Sequence, residues 1–168
     1  MNSSLQLCVV LLFRSVRSLV DLPDRRTAAV EMPMAKILII DDEKGIRMTL
    51  REFLEEDGYD VSTADSAFGA LALMHENRFE LVLTDWMLPD LGGPAMLYAF
   101  RRLSPESIFV VVSGDARRED VEEALRAGAA EYLCKPVRAG RIRETAARYL
   151  HQGVIVPSAA APVVDGVK

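Results

Sequence analysis

Residues 36–43 read KILIIDDE, a short apolar run that ends abruptly in three acidic residues. A continuously apolar run of this length is typical of a β-strand that is covered by helices on both faces. A helical pattern follows from Lys44 to Asp57, and Gly58 comes directly after it, where a glycine often ends a helix. This stretch therefore predicts a buried strand followed by a helix.

The same alternation of a short apolar run and a helical pattern recurs as far as Leu150. Strict alternation of strands and helices predicts a parallel sheet with helices on both faces and right-handed crossovers. The chain is thus expected to have an α/β fold with five strands and five helices. The further strands are predicted at 59–63, 81–84, 108–112 and 131–134, and the further helices at 66–77, from Pro94 onward, at 117–127 and at 139–150.

Chemically active side chains stand at the carboxyl ends of these predicted strands. In an open parallel sheet, ligands bind beyond that edge, at the point where the strand order reverses. We therefore expect three carboxylates, one hydroxyl and one ammonium group to meet at a single edge. They belong to Asp41 and Asp42 after the first strand, Asp85 after the third, Ser113 after the fourth and Lys135 after the fifth.

The three carboxylates favour a metal site. Acidic groups at close range repel one another unless a cation joins them, and Mg²⁺ prefers oxygen ligands and keeps water molecules for a substrate. A solvated acidic loop is the alternative for Asp41 and Asp42 alone. Because Asp85 stands on the neighbouring strand end, we predict that all three bind Mg²⁺.

Lys135 and Ser113 add groups that suit a phosphoryl ligand. The proline at 136 restricts Lys135 to an extended backbone, so its ammonium group could lie opposite Asp85, although a lysine at a strand end is often a plain surface charge. Ser113 precedes Gly114, which permits close backbone approach, although a serine there could simply open a turn or cap a helix. Taken together, these residue types predict phosphoryl transfer onto a carboxylate.

Composition excludes several other classes of function. The 168 residues carry a net charge of -5 with a pI of about 5.1, which argues against a nucleic-acid surface. Cys8 and Cys134 are too few for a disulfide framework or a zinc site. The apolar stretch 5–13 is shorter than the roughly 20 residues that span a bilayer, and it lacks the features of a signal peptide. We expect a cytoplasmic protein without membrane or nucleic-acid partners.

The domain organisation is predicted as follows. Residues 35–150 should form one domain. From Met34 the chain reads MAKILIIDDE, like a natural protein start, so residues 1–34 are expected to be a disordered extension or an over-extended reading frame. Residues 151–168, which are rich in Pro, Ala, Val and Gly in no pattern, are expected to be a disordered tail. No second domain is expected.

Four motifs carry a resemblance to a known family: ILIIDDE at the first strand, LVLTDWMLPDLGG around Asp85, VVVSGDA at the fourth strand and AGAAEYLCKP at the fifth. Residues 36–150 resemble the receiver domain of bacterial two-component response regulators, of the chemotaxis type. The resemblance implies a flavodoxin-like, doubly wound sheet with strand order 2-1-3-4-5. It also implies a stand-alone, single-domain response regulator.

The resemblance further implies a role for each residue. Asp85 would accept the phosphoryl group, and Lys135 would contact it. Ser113 and Tyr132 would form the switch, although a half-buried strand tyrosine would look the same from the sequence. The Mg²⁺ ligands would be Asp42, Asp85 and the backbone carbonyl of Met87, with Asp41 acting through water.

Two positions depart from the family pattern. Met87 replaces the polar residue often found two positions after the acceptor, on the path of the hydrolytic water, so the lifetime of the phosphorylated state is open. Gly92 and Gly93 stand where an acidic residue and a glycine are common, which predicts more freedom in this loop.

The implied function is that of a signalling domain, not of an enzyme, one that catalyses only its own phosphorylation and dephosphorylation. The phosphoryl group would come from a sensor histidine kinase or a histidine phosphotransfer protein. A downstream output protein would then read the face formed by the fourth helix, fifth strand and fifth helix. An aspartyl-phosphate hydrolase would carry a second aspartate where Met87 stands. An interaction module without phosphorylation would be free to lose at least one residue of the set.

Overall fold

The computed structural model describes residues 34–115, 117–151 and 163–164. The extension expected at 1–34, apart from Met34, and most of the expected tail lie outside these residues. The strands are β1 (Lys36–Ile40), β2 (Asp60–Ala64), β3 (Leu81–Thr84), β4 (Ile108–Ser113), β5 (Glu131–Cys134) and β6 (Val163–Val164). The helices are α1 (Lys44–Glu56), α2 (Ala67–Glu76), α3 (Gly93–Leu103), α4 (Arg118–Ala127) and α5 (Ala139–His151).

All strand pairs are parallel, and the sheet has the order β2-β1-β3-β4-β5-β6. The predicted five-strand order is confirmed. The two-residue strand β6, which the sequence did not predict, lies beside β5. The order reverses between β1 and β3, because the chain adds β2 on one side of β1 and β3 on the other. Residues that follow β1 and β3 therefore lie at the point where ligands bind in such sheets.

The sheet separates two hydrophobic clusters. Successive residues of a strand point to opposite faces, so Leu38 and Ile40 belong to one cluster while Ile37 and Ile39 belong to the other. Helices α2, α3 and α4 cover the first face, and α1 and α5 cover the second. This burial on both faces explains why the β1 sequence is continuously apolar.

The helix and strand boundaries follow local sequence signals. The bounds of β1, β3 and β5 are those predicted. Six other predicted elements with two stated ends differ from the prediction by one residue, at one end or at both: β2, β4, α1, α2, α4 and α5. Gly128 ends α4 with φ +105°, a backbone conformation that favours glycine. The longest helices, α1 and α5, have 13 residues each. Within the described ranges, no helix has the length and apolar character needed to cross a membrane.

Candidate functional site

Three acidic side chains converge where the strand order reverses. Asp41 and Asp42 follow β1, and Asp85 follows β3, to which β1 is paired. One carboxylate oxygen from each lies within 4.8 Å of the others. Asp41 and Asp85 are 2% and 8% exposed, whereas Asp42 is exposed. The predicted meeting of the three carboxylates is confirmed.

Lys135 lies between two of these carboxylates. Its Nζ is 2.6 Å from Asp41 Oδ2 and 2.6 Å from Asp85 Oδ2, and it is also 3.8 Å from Glu43 Oε1. Burial works to lower the pKa of Lys135, but the hydrogen bonds and charges of Asp41 and Asp85 outweigh it, and the pKa lies above its ordinary value. The ammonium group is therefore charged and held at the carboxylate of Asp85. The peptide bond between Lys135 and Pro136 is cis.

Backbone groups fix the orientation of the two buried carboxylates. Asp85 Oδ1 accepts a hydrogen bond of 3.1 Å from the amide of Met87, and the Asp85 amide donates to the carbonyl of Ile40 over 2.8 Å. Asp41 Oδ1 accepts a bond of 2.9 Å from the amide of Glu43. Both oxygens of Asp41 thus have a protein partner, whereas Asp42 faces solvent.

The donor set fits a hard divalent cation. Mg²⁺ takes oxygen ligands and retains several waters, so it is usually bound by one or two carboxylates. Asp42 and Asp85 can offer those oxygens beside the exposed loop that follows β3. A single ammonium group does not balance three carboxylates, which leaves negative charge for a metal ion to neutralise.

Ser113 and Tyr132 lie together on neighbouring strands. Ser113 is 2% exposed, and its hydroxyl group lowers the pKa of Tyr132 against the larger effect of burial, so the two side chains lie close together. The Tyr132 hydroxyl donates to the carbonyl of Asp115 over 2.5 Å, and the side chain is 0% exposed. Burial raises the pKa of Tyr132 to about 12, and the charge of Asp120 also raises it. The half-buried alternative for Tyr132 is wrong, because the ring is packed inside the core.

The loop between β3 and α3 is more tightly held than the sequence predicted. The Gly93 amide donates to the carbonyl of Trp86 over 2.7 Å, and Gly93 has φ +62°. A Cβ at Gly92 would lie 3.0 Å from that same carbonyl oxygen. The two glycines therefore close the loop by backbone approach, and the expected freedom at this point is corrected. Met87, near the other end of the loop, is 60% exposed.

Two further residues near the site, and a third at the other end of β5, were missed from the sequence. Asp90 accepts hydrogen bonds from the amides of two residues at the start of α2, Ala67 and Phe68. Asp120 accepts one from the buried indole of Trp86. Glu131, on β5, is 0% exposed and pairs with arginines of α5. Acidic residues are common on surfaces, so nothing in the local pattern distinguished these.

Comparison with known proteins gives a consistent result. The family model described as the response regulator receiver domain matches residues 37–147. The alginate biosynthesis transcriptional regulatory protein AlgB of Pseudomonas syringae pv. tomato is 36% identical over 115 residues, which are 68% of this chain and 26% of that protein. The chain thus spans about a quarter of the length of this relative.

Solved structures agree with the fold. A response regulator receiver domain protein (CheY-like) from Methanospirillum hungatei has a TM-score of 0.66 and 34% identity, with coverage of 68% of this chain and 92% of that one. A response regulator from Burkholderia pseudomallei, solved with a phosphorylated aspartic acid, a calcium ion and citrate, has a TM-score of 0.63 and 28% identity. The matched region makes up 70% of this chain and 67% of the Burkholderia pseudomallei chain.

Proposed function

The chain belongs to the response regulator receiver domain family of two-component signalling, and from that premise we propose that Asp85 accepts a phosphoryl group from a phosphohistidine. The donor is a sensor histidine kinase or a histidine phosphotransfer protein. The observation that carries this proposal is the position of Lys135, whose Nζ lies 2.6 Å from Asp85 Oδ2. A cation held there offsets the negative charge that develops on a transferred phosphoryl group.

In the proposed step, a carboxylate oxygen of Asp85 attacks phosphorus as the phosphorus–nitrogen bond of the phosphohistidine breaks. The bonding electrons return to the imidazole, and an acyl phosphate forms on Asp85. The amide of Met87 holds Oδ1 and Lys135 holds Oδ2, which limits rotation of the carboxylate. Positioning of this kind supplies much of the catalysis in phosphoryl transfer. The domain thus catalyses only its own phosphorylation and dephosphorylation.

Asp42, Asp85 and the backbone carbonyl of Met87 would bind Mg²⁺ directly, and Asp41 would act through water. This division suits the site, because Asp42 is exposed and can offer an oxygen directly, whereas Asp41 is the most buried of the three carboxylates, at 2% exposed. When bound, Mg²⁺ would neutralise charge on the phosphoryl oxygens and the three carboxylates. The Burkholderia pseudomallei relative was solved with a phosphorylated aspartic acid and a calcium ion, which supports an aspartate acceptor in a protein that also holds a divalent cation.

We assign the switch to Ser113 and Tyr132. A phosphoryl group on Asp85 offers new acceptor oxygens to the Ser113 hydroxyl, which would move toward them and away from the Tyr132 hydroxyl. Tyr132 already lies inside the core, so the movement of Ser113 starts with the tyrosine ring in this inward position. Phosphorylation then alters the balance between two conformations of the face formed by α4, β5 and α5, which a downstream output protein reads.

The direct test is intact-mass analysis after incubation with acetyl phosphate and Mg²⁺. The wild-type protein should gain one phosphoryl group, and Asp85→Asn should gain none. Asp60→Asn is the control, since Asp60 is exposed and begins β2, whereas the site lies beyond the carboxyl ends of the strands. An adduct that survives in Asp85→Asn would falsify the assignment of the acceptor. A wild-type protein that gains nothing would favour an interaction module without phosphorylation.

A further inference from the structure

Asp90 joins the loop between β3 and α3 to a helix that lies elsewhere in the sequence. Its Oδ1 is 3.0 Å from the amide nitrogen of Ala67, and its Oδ2 is 2.9 Å from that of Phe68. Asp90 and Ala67 are separated by 23 residues. These two amides are the first of α2, and they have no partner inside the helix. Asp90 therefore caps α2 from a different loop.

The start of α2 depends on this external carboxylate. The N-cap residue Ser66 accepts a bond of 3.2 Å from the amide of Gly69, and the amide of Ala70 bonds to the Ser66 carbonyl. Asp90 therefore supplies the partner for the two remaining donors of the first turn. The first turn of α2 contains no acidic residue of its own, although negative charge is favourable there. Burial works to raise the pKa of Asp90, but the amides of Phe68 and Ala67 lower it by more, so the carboxylate is charged.

The same contact fixes the part of the loop that carries the proposed metal carbonyl. Asp85 and Gly93 are held at the two ends by backbone hydrogen bonds. Leu88 is buried, whereas Met87 and Asp90 are exposed. Asp90 is three residues beyond Met87. Among the described residues, the two bonds from Asp90 to α2 are the long-range polar contacts that hold this part of the loop.

We propose that Asp90 is a positioning residue for the phosphorylation site, which holds the β3–α3 loop against α2 so that the Met87 carbonyl faces the carboxylates of Asp42 and Asp85. This inference rests on the proposed function, since it assumes that the Met87 carbonyl is a metal ligand. Removing a group that orients a metal ligand from outside the coordination shell typically lowers the metal affinity about 10- to 100-fold. Asp90 acts through the backbone, so its loss should weaken Mg²⁺ binding by roughly 10-fold, the low end of that range.

Ser66 provides the matched control, because it caps the same helix but does not touch the loop. Asp90→Ala and Ser66→Ala should both lower the urea midpoint of unfolding, since each removes a cap of α2. Mg²⁺ titration of each full-length variant, followed by the fluorescence of Trp86, then separates the two roles. Trp86 is the only tryptophan and is next to the acceptor. We expect the Mg²⁺ dissociation constant to rise in Asp90→Ala and to be unchanged in Ser66→Ala.

Equal Mg²⁺ dissociation constants in Asp90→Ala and Ser66→Ala would overturn the proposal and leave Asp90 as a helix cap only. If Asp90→Ala does not fold, Asp90→Asn serves instead, because it keeps one acceptor oxygen and the side-chain volume. Asp90→Asn should then show a smaller rise, and an unchanged constant would overturn the proposal. A wild-type protein that shows no Mg²⁺ response would instead sink the proposed metal site, and this inference with it.

Discussion

The indole Nε1 of Trp86 donates a hydrogen bond of 3.4 Å to Asp120 Oδ1 and so connects the residue after the acceptor to the first turn of α4. Trp86 is 1% exposed, and Asp120 also binds Arg117 through its other oxygen, at 2.8 Å. The loop between β3 and α3 and the proposed output face are therefore in direct polar contact. This contact is separate from the pair formed by Ser113 and Tyr132.

Asp120→Ala should lower the free energy of unfolding by about 1–3 kcal/mol, because it leaves a buried indole N–H without an acceptor. Urea unfolding followed by circular dichroism measures the loss. In a Trp86→Phe background, which has no N–H to satisfy, the same substitution should cost clearly less. Arg117→Ala removes only the exposed partner of Asp120 and should cost less than about 1 kcal/mol. A loss from Asp120→Ala that is equal in both backgrounds would contradict this coupling.

Lys135→Ala should slow phosphorylation by acetyl phosphate roughly 100-fold, because it removes a preorganised donor at the phosphoryl group. It also leaves Asp41 and Asp85 without their shared cation, so added Mg²⁺ should raise the Tm by more than it does in the wild type. Initial rates of adduct formation and thermal unfolding with and without Mg²⁺ test both statements.

Lys36→Ala is the control for Lys135→Ala, since Lys36 forms an exposed pair with Asp60 at 3.9 Å and begins β1, whereas the site lies beyond the end of that strand. Its phosphorylation rate should equal that of the wild type. If Lys135→Ala were phosphorylated as fast as Lys36→Ala, the role given to Lys135 would be wrong.

Alkaline pH should reveal the burial of Tyr132. Its pKa in the folded protein is raised to about 12 by burial, compared with about 10 for an exposed tyrosine. The neutral phenol therefore stabilises the fold fully below pH of about 10, and that contribution is lost as the pH rises through about 12. Tyrosinate absorbance should show one of the four tyrosines titrating last.

Tyr132→Phe identifies the late-titrating group, because it removes that ionisation while it keeps most of the buried ring. The variant should also show a weaker decline of stability between neutral and strongly alkaline pH. A late transition that persists in Tyr132→Phe would assign it to another tyrosine and contradict the stated burial of Tyr132.

Removing the buried carboxylate of Glu131 and removing its two arginine partners should lower the stability by different amounts. Glu131 is 0% exposed and pairs with Arg141 and with Arg148, whose Nη1 is 3.3 Å from Oε2. The arginine side chains are 19% and 26% exposed and can regain water. The double variant Arg141→Ala with Arg148→Ala leaves the carboxylate buried without those partners, and should cost about 3–5 kcal/mol.

Glu131→Leu should cost much less than the double arginine variant, because it replaces the buried charge with an apolar group and leaves cations that water can reach. Urea unfolding at neutral pH compares the two. The reverse order would show that the arginines, and not the carboxylate, bear the cost of desolvation in this cluster.

Much of the fold could be predicted because its signals are local. The bounds of β3 and β5 follow from apolar runs that end at Asp85 and Lys135. Each residue proposed for the phosphorylation site also stands at a strand end or close to one in the sequence. Parallel strands bring their carboxyl ends to one edge, so the meeting of these residues could be inferred without coordinates.

The sequence by itself determined which chemical groups come to the edge of the sheet, because strand periodicity and the ends of apolar runs depend on neighbouring residues. Only the tertiary structure decided which of those groups touch. The position of Lys135 between Asp41 and Asp85, the cap that Asp90 gives α2 and the bond from Trp86 to Asp120 each join parts of the chain that are far apart. Such contacts depend on strand register, crossover and side-chain packing acting together, and no local pattern contains that information.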